Sequence, residues 1–178
     1  MIRPFYFRDE TLYILDQRVL PRKERWIACS TAEDVAHAIR TLAVRGAPAI
    51  GIAAAYGLVL EAAGGRSSVE RASRILLASR PTAVNLPWAV KRCMETAARS
   101  GEWELKERLT KEADAIWAEE IASNEAIASL GAGLFEQGRS FSVLTHCNAG
   151  SLATGGMGTA LGVIRRLHEQ GRLQCVYM

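Results

Sequence analysis

Apolar residues along this chain repeat at helical spacing for most of its length and give way to strand-like runs at both ends. From Phe5 to Ile14, aromatic and β-branched residues flank Asp9-Glu10, a pattern that predicts a small hairpin. Trp26–Cys29 adds a short strand. Ser30 or Thr31 then caps a helix whose first turn carries Glu33 and Asp34, where negative charge suits the dipole. Val35, Ala38, Ile39, Leu42 and Ala43 keep helical spacing, so this helix is expected to run to about Val44. Arg45-Gly46-Ala47-Pro48 breaks it, with Pro48 suited to the first turn of the next helix.

That next helix, Ala49 to Ala63, is apolar almost all round and should be central. Gly64-Gly65 ends it, and Ser67 or Ser68 caps a third helix through Ser79. Arg80-Pro81-Thr82 is an extended break, because proline steers the preceding residue away from helix. Asn85 caps a fourth helix to about Arg99, with Pro87 tolerable in its first turn. Trp103 to Gln137 reads as mostly helical, with a break expected at Gly131 or Gly133 and a solvated, charged first half. The pattern then changes. Phe141–Thr145 is a strand, His146–Gly158 a glycine-rich loop, Thr159–Glu169 a helix and Gln174–Met178 a second strand. A strand, loop, helix and strand in that order open a parallel sheet. The expected class is therefore α/β, with residues 1–138 a mostly helical domain with a small β element. Residues 139–178 would be the first β-α-β unit of a second, incomplete domain, since two parallel strands leave open edges and little covered surface. On that ground the chain is expected to be a fragment.

Composition narrows the partners. The net charge of +3, from 22 basic and 19 acidic residues, is too weak to argue for nucleic acid or a membrane surface. The most apolar uncharged run, Ala47 to Leu60, is fourteen residues long and too short to span a bilayer. Cys29, Cys93, Cys147 and Cys175 form no C-x-x-C pair and no zinc spacing with His37, His146 or His168, so no metal is expected. Scattered cysteines fit a reducing cytoplasm.

Three breaks could carry chemistry. At Arg45-Gly46-Ala47-Pro48, a helix start offers free N–H groups to an anion, an arginine adds a clamp for phosphate oxygens, and glycine permits close approach. On spacing alone, a plain interhelix turn is the simpler reading. Arg80 sits in an extended break and could point into a cleft, although a solvated arginine is the simpler reading there too. Thr145–Ser151 lies at the carboxyl end of a parallel strand, where open α/β sheets bind ligands. Cys147 there could act as a base or polar stabiliser, or be a small buried hydrophobe. His146 and Cys147 are neighbours in sequence, and in an extended strand they would face opposite ways, so no Cys–His pair is assumed. The glycines of 155–162 fail the dinucleotide fingerprint, and no acidic residue closes the second strand.

Taken together, Val44–Gly51, Arg80–Leu86 and Leu144–Thr154, with Leu15-Asp16-Gln17 before them, resemble the methylthioribose-1-phosphate isomerase family. That family is related to ribose-1,5-bisphosphate isomerases and to regulatory subunits of the nucleotide-exchange factor for the second eukaryotic initiation factor. The resemblance implies an amino-terminal helical domain followed by a Rossmann-like one. It implies a small phosphorylated sugar as substrate, no cofactor, and a homodimer for the complete protein. It also implies that Arg45, Gly46, Ala47 and Arg80 contact the substrate and that Cys147 stands at the reacting sugar carbons as base or stabiliser. In the family, an aspartate acid, a glutamine and an Asn-Lys pair come later in the second domain. None of them matches a residue here, so the chain carries about half of an active site. Two other activities stay open: isomerisation of ribose 1,5-bisphosphate, and phosphate sensing without catalysis.

Overall fold

The computed structural model describes residues 2–178. Three strands, β1 (Phe5–Arg8), β2 (Thr11–Leu15) and β3 (Trp26–Cys29), form an antiparallel sheet in that order. Asp9 and Glu10 both take left-handed φ, 48° and 57°, as a two-residue hairpin matched to strand twist requires. Phe5, Leu12, Ile14 and Cys29 turn inward and are fully buried. Helix α1 (Ala32–Arg40) is capped by Thr31, not Ser30. The Thr31 hydroxyl accepts from the Asp34 amide at 3.2 Å, and the Asp34 carboxylate accepts from the Thr31 amide at 3.0 Å. The helix ends earlier than its apolar spacing suggests. Leu42 turns left-handed, φ 60°, and the Ala43 amide reaches back to the Ala38 carbonyl at 2.9 Å, which closes the end.

Helix α2 (Ala47–Leu60) is the centre of the molecule, buried from Ala49 through Val59. It begins two residues before the expected start and gives way to a 3-10 turn, Ala62–Gly64. With α3 (Gly65–Ser79), the stretch Ala47–Ser79 has the length and apolarity of a membrane span, but 67% of its most apolar window is buried within the protein. Neither Ser67 nor Ser68 caps α3. Instead the Ser68 hydroxyl donates to Glu61 at 3.0 Å, and Glu61 also accepts from the first amide of α1, Ala32, at 3.0 Å. Helix α4 (Asn85–Ala98) starts after Val84, so Asn85 lies in its first turn and is not its cap.

Helix α5 (Leu105–Gly133) is one continuous 29-residue helix. Of the two glycines expected to break it, Gly131 lies inside the helix and Gly133 is its last residue. A Cβ at Gly131 would stand 2.6 Å from a methyl of Val163, so the missing side chain allows close helix approach. Leu105, Leu109, Ala113, Ile116, Asn124, Ala128 and Ala132 form its buried stripe. The last segment holds β4 (Phe141–Leu144), a short helix α6 (Ser151–Thr154), α7 (Ala160–Glu169) and β5 (Leu173–Tyr177), with β4 and β5 parallel. Helix α7 packs on α5, and α6 packs on α2. The fold is therefore mixed α/β. Helix α6 lies inside the stretch expected to be loop.

Arg172 fastens the end of α5. Its buried guanidinium donates to the carbonyls of Ala132 at 3.4 Å, Glu136 at 2.9 Å and also Phe135, and to the Gln170 side chain at 2.7 Å. Ala132 lies in the last turn of α5 and Phe135 and Glu136 just past it, so one guanidinium ties the helix end to the chain that leaves it. Arg172→Met should lower unfolding free energy by about 2 kcal/mol, the scale of a charge-assisted hydrogen bond plus an orphaned buried acceptor. Urea denaturation checks this. An unchanged midpoint would show that the carbonyls find other donors.

Candidate functional site

The three chemistry-bearing breaks meet around the start of α2. Arg45, Gly46 and Arg80 line one hollow of about 300 Å³ together with Leu42, Asn148 and Ala153. A neighbouring hollow of about 450 Å³ shares Gly46 and Arg80 and adds Ala47, Ile50 and the turn Thr82–Asn85. Two arginines and the opening amides of a helix thus border one space, an arrangement that suits an anion.

Each wall has a local cause. Arg80 ends α3 with extended backbone, φ −155° and ψ 82°, as the following proline demands. Gly46 takes φ 101°, and a Cβ on it would lie 2.4 Å from Cα of Ala153. Only glycine lets α6 lie this close to the start of α2. Gln17 holds the same contact from behind. Its side-chain amide donates to the Leu152 carbonyl at 2.9 Å, across 135 residues of sequence, and its backbone amide donates to the Ala43 carbonyl at 2.9 Å. Next to it, the buried Asp16 is gripped by Arg18, with bonds of 2.8 Å to both carboxylate oxygens, and by Arg25. The hydrogen bonds from Arg18 first, and then Arg25, hold the Asp16 carboxyl well below the usual carboxylate range. Asp16 therefore remains an anion that pins the exit of β2 and, through it, Gln17.

Cys147 lies in the loop after β4. Pairing continues through Thr145, whose amide donates to the Tyr177 carbonyl at 3.0 Å, and the chain then turns. Cys147 takes φ 66°, uncommon for a residue with a side chain. Its side chain is exposed, so the alternative of a buried hydrophobe does not hold. It does not line either arginine hollow, whereas its neighbour Asn148 does. The buried cysteines are Cys29 and Cys93, each pushed up to about 12, mainly by burial. His146 is exposed beside Cys147 and makes no ion pair or side-chain hydrogen bond among the described residues. The glycines after the loop serve packing. Gly155 sits against Phe5, Trp117 and Ile52, and Trp117 donates its indole N–H to the Gly155 carbonyl at 2.9 Å.

Sequence reasoning did not single out Leu42, Asn148 or Ala153 as wall residues, nor Gln17 as their support. No periodicity or spacing signals a contact made across the whole chain. Asn148 does lie within Leu144–Thr154, and its adjacency to Cys147 is the available clue.

The same segments are matched by known proteins. A methylthioribose-1-phosphate isomerase of Ectopseudomonas mendocina is 50% identical over 99% of this chain and 52% of its own length. One of Marinobacter nauticus is 48% identical over 96% of this chain and 50% of its own length. The chain thus spans about half the length of the curated relatives it matches. The crystal structure of 5-methylthioribose 1-phosphate isomerase from Pyrococcus horikoshii superposes with a TM-score of 0.91 at 36% identity, over 99% of this chain and 52% of that one. The delta subunit of translation initiation factor eIF-2B from A. fulgidus superposes at 0.84 with 38% identity, over 98% of this chain and 54% of that one. The profile that matches residues 43–178 takes in both arginine breaks and the cysteine loop, and by that match the chain belongs to the initiation factor 2 subunit family.

Proposed function

We propose that this chain is the amino-terminal part of an aldose–ketose isomerase that converts 5-methylthioribose 1-phosphate to 5-methylthioribulose 1-phosphate. The observation that carries the reading is that Arg45 and Arg80 share one hollow with Asn148, the residue after Cys147. The near 50% identity to proteins of that name supports the substrate. In this reading Arg45, Arg80 and the amides at Gly46 and Ala47 hold the phosphate. Phosphate on the anomeric oxygen prevents spontaneous opening to an aldehyde, so the ring oxygen needs an acid. Hydrogen must then pass from C2 to C1, with Cys147 as base or stabiliser at those carbons. The acid belongs to the rest of the protein, where residues 139–178 open a Rossmann-like domain behind the helical domain of residues 1–138. A homodimer without cofactor, in the cytoplasm, with no nucleic-acid or membrane partner, completes the proposal.

The test is turnover. Joined at Met178 to the remaining half of a relative, the protein should form the ketose, while the 178-residue chain alone should not. Arg80→Ala should raise KM at least about tenfold, because a charge-assisted contact worth roughly 1.5–3 kcal/mol is lost. A second reading, phosphate sensing without catalysis, draws support from the eIF-2B delta likeness. Binding of the sugar phosphate without conversion by the joined protein would favour it and overturn the isomerase. Exposed Cys147 in its left-handed turn weighs the other way, since sensing alone has no use for a thiol there.

A further inference from the structure

A separate hollow of about 420 Å³ opens on the other flank of the two helix starts. Ile52, Val84, Trp88 and Ile116 form its apolar wall, and Glu119 and Glu120 stand at its rim. Val84 and Asn85 border both this space and the arginine hollow, so the two share an edge. At that edge α2 and α4 pack closely: a Cβ at Gly51 would stand 2.9 Å from the Asn85 carbonyl. Val84 and Trp88 are 78% and 49% exposed, an apolar surface unusual beside a polar site.

The two spaces have opposite electrostatics. Among the described residues, no lysine or arginine lines the apolar one. Arg92, which bonds the lining residue Glu119 at 2.5 and 2.7 Å, is committed: it also pairs with Glu112 and lies 5.6 Å over the Trp88 ring. Glu120 is bonded by the Asn124 amide at 2.6 Å, and burial raises its carboxyl. A phosphate brought here would meet carboxylates and no free cation, and would lose its hydration without compensation. A thioether would lose little hydration and would gain contact with an indole and branched aliphatic side chains, partners suited to polarisable sulfur.

We infer that this hollow is the specificity subsite for the far end of the sugar phosphate, accepting an apolar thioether and refusing a second phosphate. The inference rests on the isomerase reading and deepens it. The arginine side anchors the one phosphate, and the carboxylate-rimmed apolar side selects what the other end carries. Trp88 and Val84 are the specificity-determining residues.

The experiment titrates the protein joined at Met178 to the remaining half of a relative with ribose 1-phosphate, 5-methylthioribose 1-phosphate and ribose 1,5-bisphosphate, following the Gly46 amide and the Trp88 indole N–H by NMR. All three sugars should move Gly46. Only the thioether sugar should move Trp88, and it should bind at least about tenfold more tightly than ribose 1-phosphate, the discrimination that a buried apolar group confers. Trp88→Ala should erase that ratio, and Trp88→Lys should reverse the order of thioether and bisphosphate. Equal affinities with Trp88 unmoved would overturn the subsite and leave the isomerase reading standing. Failure of every sugar to move Gly46 at millimolar concentration would overturn both.

Discussion

Replacing Cys147 by alanine is expected to lower kcat by about 10²–10⁴-fold in the protein completed to its relatives' length, the range that one acid–base group supplies. KM should change little, because the side chain stands outside the arginine hollows that hold the phosphate in the proposed reading. The thiol can serve in this role because it is accessible. Of the four free cysteines, Cys29 and Cys93 are buried and pushed up to about 12, so they carry almost no thiolate near neutrality. Cys147 and Cys175 are exposed. Alkylation should therefore modify Cys147 and Cys175 and spare the other two, and sugar phosphate should protect Cys147 alone. Full turnover by the alanine variant would remove Cys147 from the chemistry. Equal protection of Cys175 would mean that the ligand binds elsewhere.

Much of the architecture was legible in the sequence, because it depends on local signals. The aromatic run around Asp9-Glu10 gave the hairpin, and prolines 48 and 81 marked real breaks. The solid apolar run after Pro48 became the central helix. Errors arose where tertiary packing overruled a local cue. Of the two glycines that look like helix breaks in sequence, Gly133 does end α5, but the bare Cα of Gly131 is where α7 approaches it. Leu42 continues the apolar spacing of α1 yet takes the left-handed turn that ends it. Helix α6 has four residues, too few to show a period, and is held by Gln17 and the start of α2. The candidate site shows the same division. The arginines and the cysteine stand out by residue type within a break. Their shared walls, Asn148 and Ala153, are products of chain folding and have no local signature.

Gly46→Ala should be among the most damaging single-methyl additions in the protein. Two independent costs meet at this residue. Its φ of 101° lies where a side chain is strained, and the added carbon would fall 2.4 Å from Cα and 2.5 Å from the carbonyl oxygen of Ala153. Those are backbone atoms, which cannot swing aside as a flexible side-chain tip can. The backbone strain alone costs about 1–3 kcal/mol, and relieving the clash moves α6 off α2 and separates Asn148 from Arg45 and Arg80. Gly138 supplies the control. It has φ 74° and nothing within 4 Å of an added Cβ, so Gly138→Ala carries the backbone cost without the clash. Thermal unfolding should show both variants destabilised, Gly46→Ala by more. Phosphate affinity, read by titration with ribose 1-phosphate, should collapse only in Gly46→Ala. Equal loss of affinity in both variants would mean that general stability, and not the contact between α6 and the start of α2, sets the anion site.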